Sequence, residues 1–565
     1  MGILSTPVGR VIGTDAAYAL EFWVYVDPQH YLQLDDVITV PITLPDGQEV
    51  RIHGIVDQVR SRYEGARFDS DADLAAQELM PVGIANAAHV AVTRVDPEIY
   101  VAPFPGQQVY RSEGDDRDQA LYFDRMLADA TAFRAGLSRD DRPVYGNLEF
   151  LDGTRGAHMN ISGISGVATK TSYALFLLYS LFHSGVLGKH AVNTKAIVFN
   201  VKGEDLLWLD KPNKKLTPDD RNRYEKLELQ AGPFASVGIW SPVRKAIGGG
   251  FVHSSNTRAE GVTAYAWSLR QFCRERMLGF IFAEADSETS RLSSVIRQVE
   301  RWLEKDVSGP DEQGFMTYGE ETIREFLDLV TLIDREREHI IIGETEGTRG
   351  AFMRRLYDAG HTMGHLIRPM TKDEEAKHSI RVLDAQDTGE NKQVTVIDIN
   401  ELPDKAKRFV VGAVVKRLVE LKEGHARPLV FLVLDELNKY APREGWSPIK
   451  EVILDIAERG RSLGVVLIGA QQTASEIERR VTANASFRVA GRLDSAEASR
   501  GEYGFLSDAA RNRASILKPG TMFLHQPEIP VPLLVQFPFP AWATRKDEVD
   551  EGSTGQGSGL RGKGA

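Results

Sequence analysis

The chain reads as an α/β protein: a mostly parallel sheet covered on both faces, preceded by a small β-barrel and interrupted by a helical insertion. Three observations predict this. Short apolar runs separated by turn signals fill residues 1–105. From about residue 146, apolar runs of strand length alternate with apolar helices. Between about 250 and 380 the pattern becomes long, charged and helical.

The first segment carries ALEFWVYV, VITVPITL, VRIHGIVDQV and HVAVTRV, with breaks at Asp27–Pro28 and Pro45–Asp46–Gly47. Several short strands at this spacing suggest a small barrel, here 1–105. A barrel of this kind holds no catalytic constellation, and its expected role is a docking or oligomer-forming collar. Residues 106–145 are charged and read as a linker with a helix near 117–136. Core strands are expected at 158–162, 194–200, 236–241, 394–399, 429–434, 464–470 and 485–491. The α/β core thus divides into 146–249 and 381–547, around an insertion at 250–380. Residues 548–565 are Gly/Ser-rich and read as a disordered tail.

Composition excludes several classes. One cysteine, Cys273, among 565 residues means no disulfide can form within the chain, and a reducing, cytoplasmic setting is expected. No apolar run reaches the roughly 18–20 residues of a membrane span. The basic-then-apolar opening of a secretion signal is missing. Acids outnumber bases, 80 to 68. This argues against a protein coated in nucleic acid, but not against a ring whose basic residues face a central channel.

Two stretches carry chemistry. LVFLVLDELNKYAP (429–442) runs a buried strand into an acid pair at the edge where open α/β sheets bind ligands. In a nucleotide hydrolase Asp435 would hold the water shell of Mg²⁺ and Glu436 would polarise the attacking water. GISGVATKTS (163–172) follows a short strand and opens the helix SYALFLLYSLF. Strand, small-residue loop, Lys–Thr and helix make a phosphate loop. Gly163, Ser165, Gly166, Val167, Ala168, Thr169 and Ser172 would surround the phosphates. Lys170 would reach the β- and γ-phosphates, and the Thr171 hydroxyl would ligate Mg²⁺. The loop departs from G-x-x-x-x-G-K-[ST]: it is one residue longer, and Thr169 stands where glycine is usual.

Three further positions are expected at the site. Gln471 and Gln472 close the strand GVVLIGA, where an amide can bond the γ-phosphate or the water. Arg459 and Arg461 share one helical turn, and one of them would act as an arginine finger on a neighbouring subunit's ATP. Asn200 and Glu204, in FNVKGEDLLWLD, lie at a second strand end, expected beside the phosphate loop.

Together these residues resemble the HerA branch of the HerA/FtsK ring-shaped P-loop ATPases. The resemblance rests on GRVIGTDAAYALEFWVYVDP, VLDELNKYAP, AERGRSLGVVLIGAQQTASEI and VTVIDINELPDKAKRFVVGAVVKRLVE. It implies a RecA-like P-loop ATPase core and a HAS-barrel-like N-terminal domain. It further implies a homo-hexameric, ATP- and Mg²⁺-dependent translocase or helicase with double-stranded DNA in its channel. A NurA-type nuclease in DNA end processing or repair, or another effector in phage defence, would dock on the barrel face. By position the resemblance makes Lys170 and Thr171 the phosphate-loop pair, Asp435 and Glu436 the metal and water pair, Gln471 or Gln472 the sensor, and Arg461 the finger. One departure stands out. Where the family has Asp-x-His-Gly-Glu, this chain has Asn200 and Lys202 before Gly203–Glu204. Two loops that couple glycine to arginine, 248–258 and 344–355, are candidates to grip DNA. A protein-remodelling ring ATPase and a nucleotide-gated scaffold are the alternative readings.

Overall fold

The computed structural model describes residues 6–64, 69–77, 79–80, 83–164, 170–203, 205–245, 250–282, 291–381, 383, 392–424 and 428–550. The chain forms two compact units. The first comprises residues 1–151, 161–169 and 486–538. The second comprises 152–160, 170–485 and 539–565.

The first unit contains a closed six-stranded barrel. Its strands, in spatial order, are Pro7–Val11, Glu21–Val26, Gly83–Asp96, Glu49–Glu64, Val37–Thr43 and Gln108–Arg111. Alternation fills the barrel. In Glu21–Val26, for example, Phe22, Val24 and Val26 are buried and the residues between them are not. The last strand, Gln108–Arg111, closes the barrel against the first and fifth in this order, within the stretch the charge pattern suggested as linker. The same unit carries antiparallel strands Phe487–Ala490, Thr521–Gln526, Ile529–Gln536, Ala132–Leu137 and Pro143–Asn147. The helix expected near 117–136 is instead two short helices, Asp115–Ala120 and Phe123–Ala128, separated by Tyr122 in the left-handed region (φ 60°). Residues 132–137 are strand because pairing with Pro143–Asn147 outweighs the helix propensity of Ala132 and Ala135.

The second unit holds the parallel sheet. Its order is Val262–Tyr265, Val237–Pro242, Val394–Asp398, Lys195–Asn200, Val430–Asp435, Val465–Gln471 and then the start of Met159–Ser162. Pairing is parallel from Val262 through Gln471. The near-continuous burial of Val430–Leu434 and Val465–Gln471 is what a sheet covered on both faces requires. Helix Lys170–His183 buries residues around its whole circumference from Tyr173 to Leu181. Helix Pro448–Leu463 starts at a Ser447 cap with proline at its first turn. It ends at Gly464 (φ 66°), which turns the chain into the next strand.

The insertion is mainly helical: Leu269–Arg274, Arg291–Asp306, Phe326–Ile340, Glu346–Met363 and Lys372–His378. It shares one apolar core with the sheet, where Phe272 meets Phe326 edge-on and Phe409 at a tilt. Cys273 lies in that core, and burial pushes its thiol up to about 12. No described helix is long and apolar enough to cross a membrane.

The described parts of both candidate DNA loops are held by specific contacts. Residues 346–355 are not a flexible loop. They open helix Glu346–Met363, capped by Thr345, and Arg349 bonds the Ile341 carbonyl. In 248–258 only residues from 250 on are described, and Arg258 is a buried staple rather than a phosphate hook. Its guanidinium donates to both Asp210 carboxylate oxygens (2.5 and 2.8 Å) and to the Leu207 and Glu260 carbonyls. Removing one partner of such a pair strands the other. Arg258→Ala is therefore expected to cost about 3 kcal/mol, the low end for buried pairs because Asp210 retains some solvent. A urea melt of the full chain measures this. An unchanged midpoint would refute the staple.

Candidate nucleotide site

Parallel pairing brings polar residues to the carboxyl ends of adjacent strands. Asn200 stands opposite Asp398, and Asp435 opposite Ala470, one residue before Gln471. Among the described residues the site gathers around Asp435, Glu436, Lys170 and Lys202.

Asp435 ends its strand and accepts a hydrogen bond from the Glu436 backbone N–H at 2.9 Å. Glu436 turns the chain sharply, with φ 55° and ψ 44°. A non-glycine residue in this left-handed region costs about 1–2 kcal/mol. Strain of this kind persists only where the surrounding structure holds it, here the ion pairs on the Glu436 side chain. Both carboxylate oxygens of Glu436 are ion-paired: Oε1 with Lys202 Nζ and Oε2 with Lys439 Nζ, each at 2.6 Å. Burial alone would raise this carboxyl. The two ammonium groups outweigh burial and hold it below the usual carboxylate range.

Lys170 is the first residue of its helix and is only 3% exposed. Burial draws its ammonium below the ordinary lysine value. The charges of Asp435 and Glu436 oppose that shift, and the charge of Lys202 adds to it. A nearly dry cation at a helix amino terminus, within electrostatic reach of two carboxylates, suits a magnesium-bound phosphate ligand. Thr171 and Ser172 follow in the first helical turn, half-buried. Gly163 ends the preceding strand at φ 154°. An added Cβ there would press on the backbone of Gly491 and Arg492, so glycine is needed for close approach. Ser165, Gly166, Val167, Ala168, Thr169 and Glu204 lie outside the described residues.

The two glutamines separate. Gln471 is fully buried and Gln472 is exposed. The Gln471 amide donates to Asn160 Oδ1, and its own Oε1 has no partner among the described residues. A buried acceptor without a donor is costly, and a bound water or ligand would satisfy it. Of the two, only Gln471 is buried at the strand end. Asn160 did not emerge from the sequence, although a polar residue inside the apolar run HMNIS was its signal.

The strand carrying Asn200 is not beside the phosphate-loop strand, as expected from sequence. Two strands, Val430–Asp435 and Val465–Gln471, stand between them. Asn200 instead donates to Asp398 Oδ1 (2.9 Å) and to the Gly203 carbonyl (2.7 Å), bracing the turn that presents Lys202. Asp398 also accepts from Ser241 Oγ at 3.3 Å. Lys202 and Lys439 were not read as site residues.

Neither arginine reaches its own chain's acid pair. Both lie on helix Pro448–Leu463, which leads into the amino end of Val465–Gln471. A seven-residue strand spans roughly 20 Å, so they sit at the opposite sheet edge from Gln471. Arg459 pairs with Asp455 (3.0 Å) and Glu423 (2.5 Å). Arg461 donates to the carbonyls of Gly153 (2.7 Å) and Thr154 (2.5 Å).

No family model and no curated protein matches the chain. Solved structures do. VirB4 of Thermoanaerobacter pseudethanolicus is 14% identical over 72% of this chain and 96% of its own, with TM-score 0.42. The bacterial conjugative coupling protein TrwB is 12% identical over 72% and 90%, with TM-score 0.41. The genome packaging NTPase B204 from Sulfolobus turreted icosahedral virus 2 is 15% identical over 26% and 69%, with TM-score 0.20. Overlap at this level leaves function to be argued from the residues themselves.

Proposed function

We propose that this chain is the ATPase subunit of a ring-shaped DNA translocase of the HerA type, a homo-hexamer with ATP at each interface. The observation that carries the reading is the buried Lys170 ammonium, set at a helix amino terminus against Asp435 and Glu436. Lys170 would hold the β- and γ-phosphates, while Thr171 and Asp435 would hold Mg²⁺. When bound, Mg²⁺ supplies neutralisation of phosphate charge. Glu436 would orient the attacking water, with Gln471 contacting water or phosphate through its open oxygen. Glu204 is a second carboxylate proposed near the water. Arg461, or else Arg459, would act on the nucleotide of the adjacent subunit, since its own is out of reach. DNA would pass through the ring, and a NurA-type nuclease or another effector would dock on the barrel.

ATP turnover measured with and without double-stranded DNA tests this. Stimulation by DNA, weakening steeply as salt rises, is expected for a motor that grips phosphates. Turnover indifferent to DNA would replace the translocase with a protein-remodelling ring. Tight nucleotide binding without turnover would leave a nucleotide-gated scaffold.

A further inference from the structure

Each oxygen of the Glu436 carboxylate faces an ammonium group. Oε1 is taken by Lys202 and Oε2 by Lys439. A carboxylate polarises water more strongly when its charge is not shared with two ammonium groups, so release of one lysine would strengthen Glu436 as a water-orienting group. Lys439 lies three residues on, in the same short turn, and its side chain is 43% exposed. Lys202 comes from another strand end. Its turn is fixed on both sides: Asn200 bonds the Gly203 carbonyl, and the Gly203 N–H bonds Asn400 Oδ1 at 2.6 Å. Its side chain, by contrast, is 48% exposed and free to swing. Lys202 also lies close enough to Lys170 for its charge to be felt there. A phosphate bound at Lys170 would thus lie within the electrostatic reach of Lys202 as well. A phosphate oxygen competes with a carboxylate for an ammonium partner.

We propose that Lys202 is a triphosphate-sensing residue, which holds Glu436 until a terminal phosphate beside Lys170 takes its place and so frees the carboxylate only when triphosphate is bound. The inference rests on the nucleotide reading. It assigns a task to the position where the HerA-type motif and this chain part company. Lys202 acts through Glu436 and the phosphate, as a positioning residue.

The test is calorimetric affinity of the full chain for Mg·ADP and for Mg²⁺ with a non-hydrolysable ATP analogue. Lys202→Met is expected to weaken the analogue about tenfold, the size of one charge-assisted bond, and to leave ADP within about twofold. Glu436→Gln releases Lys202 from its competing partner and is expected to tighten the analogue several-fold. That gain should vanish in the Lys202→Met background. Equal weakening of both nucleotides by Lys202→Met, or a Glu436→Gln gain that survives in the double variant, overturns the sensor. If the unaltered chain binds neither nucleotide, the nucleotide reading falls and the sensor with it. If it binds both and Lys202→Met discriminates nothing, only the sensor falls.

Discussion

Glu436→Gln is expected to lower ATP turnover by at least about 100-fold while bound nucleotide is retained, the span usual for a lost acid–base group. The substitution keeps the shape of the side chain and its left-handed backbone, and removes only the charge. What is lost is the oxygen that would order the attacking water. What remains is the phosphate and metal set of Lys170, Thr171 and Asp435. Phosphate release reports the first and calorimetry the second. Near-normal turnover would remove Glu436 from the mechanism. The pH dependence has a definite sign. Lys202 and Lys439 hold this carboxyl below the usual range. Their contribution to stability is present above the unfolded-state carboxyl value and is lost as pH falls through the lowered folded one. Activity lost on mild acidification, above the usual carboxylate range, therefore has a source other than Glu436.

Lys170→Met has the second large expected effect: nucleotide affinity falls by about 100-fold or more, and the thermal midpoint does not fall with it. The two outcomes share one cause. The ammonium of Lys170 is 3% exposed, and burial draws its proton affinity down. At neutral pH the folded state bears that cost, which disappears above the unfolded-state lysine value. Methionine fills a similar volume without charge. Binding sites commonly trade stability for function in this way. A lower midpoint together with lost binding would mean a packing role instead. The same variant tests the finger. Arg461→Ala and Lys170→Met chains, each inactive alone, should recover activity when mixed, because some interfaces then pair an intact lysine with an intact arginine. No recovery at any ratio would end the assignment to the neighbouring subunit. Arg461→Ala also frees the carbonyls of Gly153 and Thr154, so melting the variant separates a loosened loop from a missing finger.

Much of the parallel sheet was legible because buried strands have few ways to be written. VFLVLD and VVLIGAQ, apolar throughout and ended by polar residues, specify both strand and edge. Asp435 and Glu436 were legible at that edge for the same reason, since an apolar run that stops on a charge can stop only where the charge reaches water or a ligand, whereas Lys170 was read from the small-residue loop that precedes an apolar helix. The arginine loops were not. Arg258 and Arg349 look alike in sequence, each near glycine. One became a buried ion pair because the fold brings Asp210 to it, and the other is part of a helix that Thr345 caps four residues earlier. Spatial order was likewise hidden. Which strand neighbours which is a long-range choice, and the strand of Asn200 proved to stand two places from where it was expected.

By itself the sequence determined the local matter: the strands, their polar ends, the helix that opens at Lys170 and the alternation that fills the barrel. These follow from side-chain period and burial, which act over a few residues. Only the tertiary structure decided that Lys202 and Lys439 would clasp Glu436, that Gln471 and not Gln472 would face inward, and that both arginines would lie across the sheet from their own acids. The placing of Lys202 and Gln471 depends on register and crossover between segments hundreds of residues apart, where pairing energy is set by partners that no local pattern names, while Lys439 reaches Glu436 within one turn.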